Sequence, residues 1–114
     1  MTLRERQETF ARNAALLIQH INSAGYTCTL GEAWRPPEMM EIYAQRGTGI
    51  RNSLHGRRLA IDINLFRDGN LLSDNESHRI FGAWWKLQHP ENRWGGDFKR
   101  QDGCHYEMNP PEEG

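Results

Sequence analysis

Apolar residues at Phe10, Ala14, Leu17, Ile18 and Ile21 recur at helical spacing, which predicts an amphipathic helix over roughly residues 3–23, ended near Asn22-Ser23-Ala24-Gly25. The period then changes. Tyr26, Cys28 and Leu30 alternate as a strand does, and Pro36-Pro37 can open a second helix through Met39, Met40, Ile42 and Tyr43, because proline fits the first helical turn. Gly47 and Gly49 begin a loop. From Leu59 to Phe66 the alternation is strict: Leu59, Ile61, Ile63 and Leu65 share one face, and Ala60, Asp62, Asn64 and Phe66 the other. The aliphatic face belongs in a core, so Asp62 projects from the more polar side.

Arg67-Asp68-Gly69-Asn70 reads as a turn, with Leu71-Leu72 pairing back as a short strand. Ser73-Asp74-Asn75-Glu76 has capping-box spacing with Ser73 as the cap. A third helix is predicted from there to about Gln88, burying Ile80, Phe81, Trp84, Trp85 and Leu87 and stopped by Pro90. The closing run Cys104 to Met108 alternates again, with His105 and Glu107 opposite Cys104, Tyr106 and Met108, which argues against Cys104 as a metal ligand. This order predicts an α+β fold in which a small antiparallel sheet packs against about three helices. No internal repeat is evident, and residues 109–114 are expected to form a frayed tail.

At 114 residues the chain reads as one domain spanning 1–114, with the N-terminal helix in residues 1–24. A chain of this length buries about 65% of its unfolded surface, so a modest core is feasible and a bound metal would add to it. A second folded module is not expected in a chain of this length. Lys and Arg number 14 against 15 Asp and Glu, with no long basic run, which offers little for nucleic acid or anionic membranes. No stretch approaches the roughly 20 apolar residues that span a bilayer. The opening Met-Thr-Leu-Arg-Glu-Arg-Gln-Glu lacks a secretory h-region, so synthesis in the cytoplasm without a signal peptide is expected. Cys28 and Cys104 are too few for a disulfide framework and are expected to be reduced thiols.

The chemistry concentrates in His55 and Asp62, seven residues apart, and in Asp102 and His105, three apart. Hydrolytic zinc sites take three side chains of the His and Asp/Glu types and leave a fourth position open. Two residues seven apart cannot share a face of one unbroken strand, so His55 must arrive from the loop. Asp102, with Gly103 behind it, falls on the turn into the last strand, a position suited to a general base. Glu107 shares a face with His105 and can either orient it or join a ladder salt bridge. His20, His78 and His89 sit on or beside predicted helices without a matching partner, which favours solvated or structural roles.

The run Ser53-Leu54-His55-Gly56-Arg57-Arg58-Leu59-Ala60-Ile61-Asp62 resembles the Ser-x-His-x-x-Gly-x-Ala-x-Asp signature of zinc peptidases related to D-alanyl-D-alanine carboxypeptidases. Trp94-Gly95-Gly96-Asp97-Phe98, followed by Asp102-Gly103-Cys104-His105-Tyr106-Glu107, resembles the branch containing phage L-alanyl-D-glutamate endopeptidases, endolysins that cut peptidoglycan. The resemblance covers about residues 30–108 and departs at one place, where Arg58 replaces the signature glycine, a residue that usually serves a backbone position with φ > 0.

The resemblance implies a hedgehog/D-Ala-D-Ala-peptidase-like fold and one zinc ion per chain held by His55, Asp62 and His105. Asp102 would be the catalytic carboxylate. Arg35 would face the substrate and assist catalysis, and Ser53 would fix the peptide or the loop. It further implies an enzyme that acts on the peptidoglycan stem peptide; a single domain fits a Gram-negative host, whose wall lies in the periplasm, and a monomer is the default expectation. Such an enzyme needs a separate membrane-permeabilising protein for export and has no business with nucleic acid or insertion into membranes. A D-alanyl-D-alanine carboxypeptidase or dipeptidase, and an inactive zinc domain that binds wall peptides, are the alternatives.

Overall fold

The computed structural model describes residues 1–50 and 52–112. Helix α1 spans Leu3–Ser23 and starts at a capping box that hydrophobic spacing alone does not reveal: Thr2 accepts from the Glu5 backbone N–H while the Glu5 carboxylate accepts from the Thr2 N–H. Strand β1 (Thr27–Leu30) leads to α2 (Pro37–Gln45), which opens on its proline as expected but buries none of its residues. A 3₁₀ turn at Leu54–Arg57 precedes β2 (Ala60–Arg67). Then follow β3 (Asn70–Leu72), α3 (Asn75–Gln88), β4 (Asn92–Trp94), a second 3₁₀ turn at Gly95–Asp97, and β5 (His105–Met108).

All strand pairs are antiparallel, in the order β1-β2-β5-β4, with β3 also paired to β2. This is the α+β arrangement of three helices and a small sheet that the periodicity predicts. The β2–β3 hairpin turns through Asp68 and Gly69, both at positive φ, and joins Arg67 to Asn70 in register. That is the backbone demanded by a two-residue type I′ turn, and Asp-Gly is well suited to it.

Helices α1 and α3 cover the aliphatic face of the sheet. Phe10, Leu17 and Ile21 from α1 and Phe81 and Trp85 from α3 meet Ile61, Ile63 and Leu65 of β2 and Tyr106 and Met108 of β5. Each such side chain removed from water contributes roughly 1.5–3 kcal/mol before entropy is counted. The indole N–H of Trp85 donates to the Arg93 and Glu107 carbonyls, so the largest core side chain also ties β4 to β5.

Several expectations require correction. The cap of α3 is Asp74, not Ser73: its carboxylate accepts from the Ser77 N–H and hydroxyl, one register later than the Ser73/Glu76 spacing indicates. Ile80 and Leu87 are exposed, and the buried stripe of α3 is His78, Phe81, Gly82 and Trp85. His78 is buried as a neutral bridge, its Nε2 facing the Leu72 carbonyl and its Nδ1 the Tyr106 hydroxyl. At the start of the expected tail, the Asn109 N–H donates to the Glu91 carbonyl and the Asn109 carbonyl accepts from Arg6. Glu113 and Gly114, the end of the expected tail, lie outside the described residues.

Candidate metal and catalytic site

Asp62 and His105 are direct register partners across β2 and β5, so sheet pairing alone places them side by side on the face away from the helices. His55 is delivered by the Leu54–Arg57 turn. Ser53 caps that turn by accepting from the His55 N–H, and the His55 carbonyl accepts from Arg35 N–H. Ligand-type atoms of His55, Asp62 and His105 all lie within 4.8 Å of one another. His55 Nε2 is 3.3 Å and His105 Nδ1 3.2 Å from the same Asp62 Oδ1.

The outer nitrogens of both rings are committed elsewhere. His55 Nδ1 faces the Ala33 carbonyl at 3.2 Å, and His105 Nε2 faces the Glu107 carboxylate at 2.6 Å. Both partners accept only, so the outer nitrogens act as donors, and the two inner nitrogens converge on one carboxylate oxygen. In the metal-free protein a proton on His105 answers the Asp62 carboxylate, and a divalent cation would take that proton's place among the three side chains. The donor set therefore fits a divalent metal with nitrogen and oxygen ligands, oriented from behind by a carbonyl and a carboxylate. Burial opposes charge on Asp62, but its contacts to His105 and His55 outweigh that and hold its carboxyl down at about 2. Burial likewise opposes charge on His105, yet Asp62 and Glu107 push its imidazole up to about 9.

Asp102 lies exposed on the turn before β5, with its carboxylate within 4.8 Å of ligand-type atoms of Asp62 and Cys104. Cys104 corrects the alternation argument. It precedes β5 rather than belonging to it, so its thiol is free to turn to the Asp62 side, where Sγ donates to Asp102 Oδ1 at 3.3 Å. Burial first, and then Asp102, push that thiol up to about 12. It stays protonated.

Arg35 is half-buried beside the site. Its Nε donates to Glu32 Oε1 at 2.8 Å, its Nη2 to the same oxygen, and its guanidinium lies over the Tyr43 ring at 5.0 Å. It lines a cavity of about 300 Å³ with Pro37, Met40, Glu41 and Gly56. A second cavity of about 410 Å³ adjoins it across Met40 and Gly56 and reaches Ser53 and Pro110. Ser53 is buried, and its oxygen serves the His55 turn. Glu32 is the participant that the motifs do not name. Its carbonyl accepts from the Asp62 N–H, and its carboxylate reaches within 3.8 Å of His55 Nδ1 while holding Arg35. Its spacing of three from Arg35 was the available signal.

Residues 46–108, more than half of the chain, match the family described as D-alanyl-D-alanine carboxypeptidase. No curated protein sequence matches. Among solved structures, the fold is similar to that of the Serratia marcescens L-Ala D-Glu endopeptidase ChiX. The TM-score is 0.72 at 16% identity, covering 93% of this chain and 85% of that one. It is also similar to a mutant of the vancomycin resistance D,D-pentapeptidase VanY from a VanB-type cassette in complex with Zn(II). Here the TM-score is 0.60 at 16% identity, covering 87% of this chain and 70% of that one. With the matched segment containing His55, Asp62, Asp102 and His105, the chain belongs to the D-alanyl-D-alanine carboxypeptidase family of peptidases.

Proposed function

We propose that this protein is a zinc-dependent peptidoglycan endopeptidase that hydrolyses the L-alanyl-D-glutamate bond of the stem peptide, with His55, Asp62 and His105 as ligands of one zinc ion. The observation that carries the reading is the pair of imidazoles whose outer nitrogens are occupied and whose inner nitrogens converge on one Asp62 oxygen. Family membership supports a peptidase, and the fold likeness to an L-Ala D-Glu endopeptidase supports the choice of bond. Zinc, when bound, supplies Lewis acidity for the scissile carbonyl and the attacking water.

The remaining work falls to the chain. Asp102 takes a proton from the water as the C–O bond forms and delivers it to the amine nitrogen as the C–N bond breaks. The pairing of Arg35 with Glu32 and its stacking on Tyr43 hold its planar fork of donors at the cavity wall, where it meets a substrate carboxylate or the developing oxyanion. Ser53 positions the His55 turn, and its hydroxyl keeps a hydrogen to donate toward the peptide from the cavity wall. The biological setting in this proposal is that of an endolysin, reaching the periplasmic wall with a separate permeabilising protein. Among the described residues no helix is long and apolar enough to cross a membrane.

Digestion of purified peptidoglycan tests the reading. New N-terminal D-glutamate, lost on chelation and restored by zinc, is the expected result. Release of free D-alanine instead would assign the carboxypeptidase activity, and digestion that survives complete metal removal would overturn the metal-dependent mechanism.

A further inference from the structure

The turn that carries Asp102 runs from Phe98 to Cys104 without regular structure, and exposed residues occupy most of it. A carboxylate on such a turn delivers protons efficiently only if the backbone beneath it is fixed, because misplacement by about 1 Å can cost about 100-fold in rate. Two backbone bonds fix Asp102 itself: its N–H donates to the Gly95 carbonyl at 2.9 Å, and its carbonyl accepts from the His105 N–H at 3.1 Å. The next carbonyl, that of Gly103, accepts from the indole N–H of Trp94 at 2.7 Å in a buried bond.

Trp94 is itself held with unusual closeness. A Cβ on Gly82 of α3 would lie 2.2 Å from its ring, and one on Gly96 would lie 2.2 Å from it as well. Glycine at both positions lets the indole pack directly against backbone, in a slot with no room for a side chain between. Lys86 caps the slot, paired with Asp97 at 2.6 Å and 5.9 Å from the ring centroid. On its other side Gly103 is pressed against Asn75, where a Cβ would come within 2.8 Å of Oδ1 and 3.0 Å of Cα. An apolar side chain would fill the slot without making the hydrogen bond.

We infer that Trp94 is a positioning residue for the proposed base: its indole N–H, clamped between Gly82 and Gly96, fixes the Gly103 carbonyl and so aims the Asp102 carboxylate. This inference rests on the reading of Asp102 as the base.

The test combines a double-mutant cycle with a measurement that needs no activity. Trp94→Phe is expected to lower kcat about 10- to 100-fold on a soluble stem peptide. KM and zinc affinity are expected to stay within about twofold, the second because His105 is held by the sheet and by Glu107. In an Asp102→Asn background the same change is expected to cost nothing further, since the group it aims is gone. Amide exchange at Asp102 and Gly103 is expected to accelerate in Trp94→Phe.

Equal losses in both backgrounds, or unchanged exchange at the turn, would overturn the inference and leave Trp94 a packing residue. Full activity of Asp102→Asn would instead remove the base assignment, with the exchange data still reporting whether Trp94 holds the turn. If phenylalanine unfolds the protein, β-(3-benzothienyl)alanine at position 94 replaces the N–H by sulfur at nearly unchanged shape, and the same outcomes apply.

Discussion

Glu107 stands behind His105 inside the sheet, its Oε1 2.6 Å from the imidazole Nε2 and its Oε2 3.6 Å from Arg93 Nη1. The carboxylate holds the ring's orientation and, in the proposed zinc site, would make it a more basic ligand. Glu107→Gln keeps the shape and removes the charge, so zinc affinity is expected to fall about 10- to 100-fold. Competition with a chromophoric chelator measures this directly, and an unchanged constant would reduce Glu107 to a ladder ion pair.

Gly95 is the residue on which the Asp102 turn closes. A Cβ there would sit 2.2 Å from the Asp102 carbonyl and 2.9 Å from His105 Cβ, and the first of these neighbours is backbone that cannot swing away. Gly95→Ala is expected to destabilise the protein by about 1–3 kcal/mol and to weaken metal binding, because relief requires the turn and β5 to separate. Thermal melting with and without zinc would show both effects.

Arg58 occupies the left-handed region, φ 57 and ψ 37, where the related signature carries glycine. The conformation costs roughly 1–2 kcal/mol for a residue with a Cβ. Its guanidinium over the Trp34 ring, 4.3 Å from the centroid, returns about 0.5–1 kcal/mol. Arg58→Gly removes both and adds unfolded-state entropy, so it is expected to lie within about 1 kcal/mol of the native protein. Arg58→Ala loses the stacking and keeps the strain, and is expected to be the less stable variant. Urea midpoints should rank them in that order.

His78 predicts a pH dependence. Burial is the main influence and holds its pKa below the ordinary 6.5, against weaker opposing contributions from the Leu72 carbonyl, Asp74 and Asp102. Below about pH 6.5 the unfolded chain therefore binds a proton that the folded chain resists, so this histidine's contribution is full above that pH and is lost as pH falls. In the metal-free protein His105 acts in the opposite sense, its raised pKa favouring the fold until pH climbs past about 9. The difference in unfolding free energy between the native protein and His78→Gln isolates the first effect. It is expected to shrink from pH 7.5 to 5.5, and growth over that interval would contradict the neutral assignment.

Period and turn chemistry made α1, β2 and the Asp68-Gly69 hairpin legible, because in each the local preference and the buried face agree. The stripe of α3 was misplaced for a tertiary reason. Gly82 and His78 form its buried face because one makes room for Trp94 and the other bridges Leu72 to Tyr106, whereas Ile80 and Leu87 have nothing to pack against. Strand β4 is three residues long and exists through pairing with β5, so no local pattern announces it. The residues converging on Asp62 were readable as types and spacings. The Glu32–Arg35 pair and the turn of Cys104 toward Asp102 depend on loop geometry, which alternation does not specify.

The direct pairing of Asp62 with His105 has a kinetic consequence. A slip of β5 by one position along β2 would turn its alternate side chains to the opposite face, sending the imidazole into the apolar layer and leaving the aspartate alone. With the proposed zinc site, correct alignment of two segments more than forty residues apart would be a precondition for capturing the ion, and capture would in turn penalise every misaligned sheet. Availability of the cation during folding would act as a proofreader of strand alignment, well before any substrate is met.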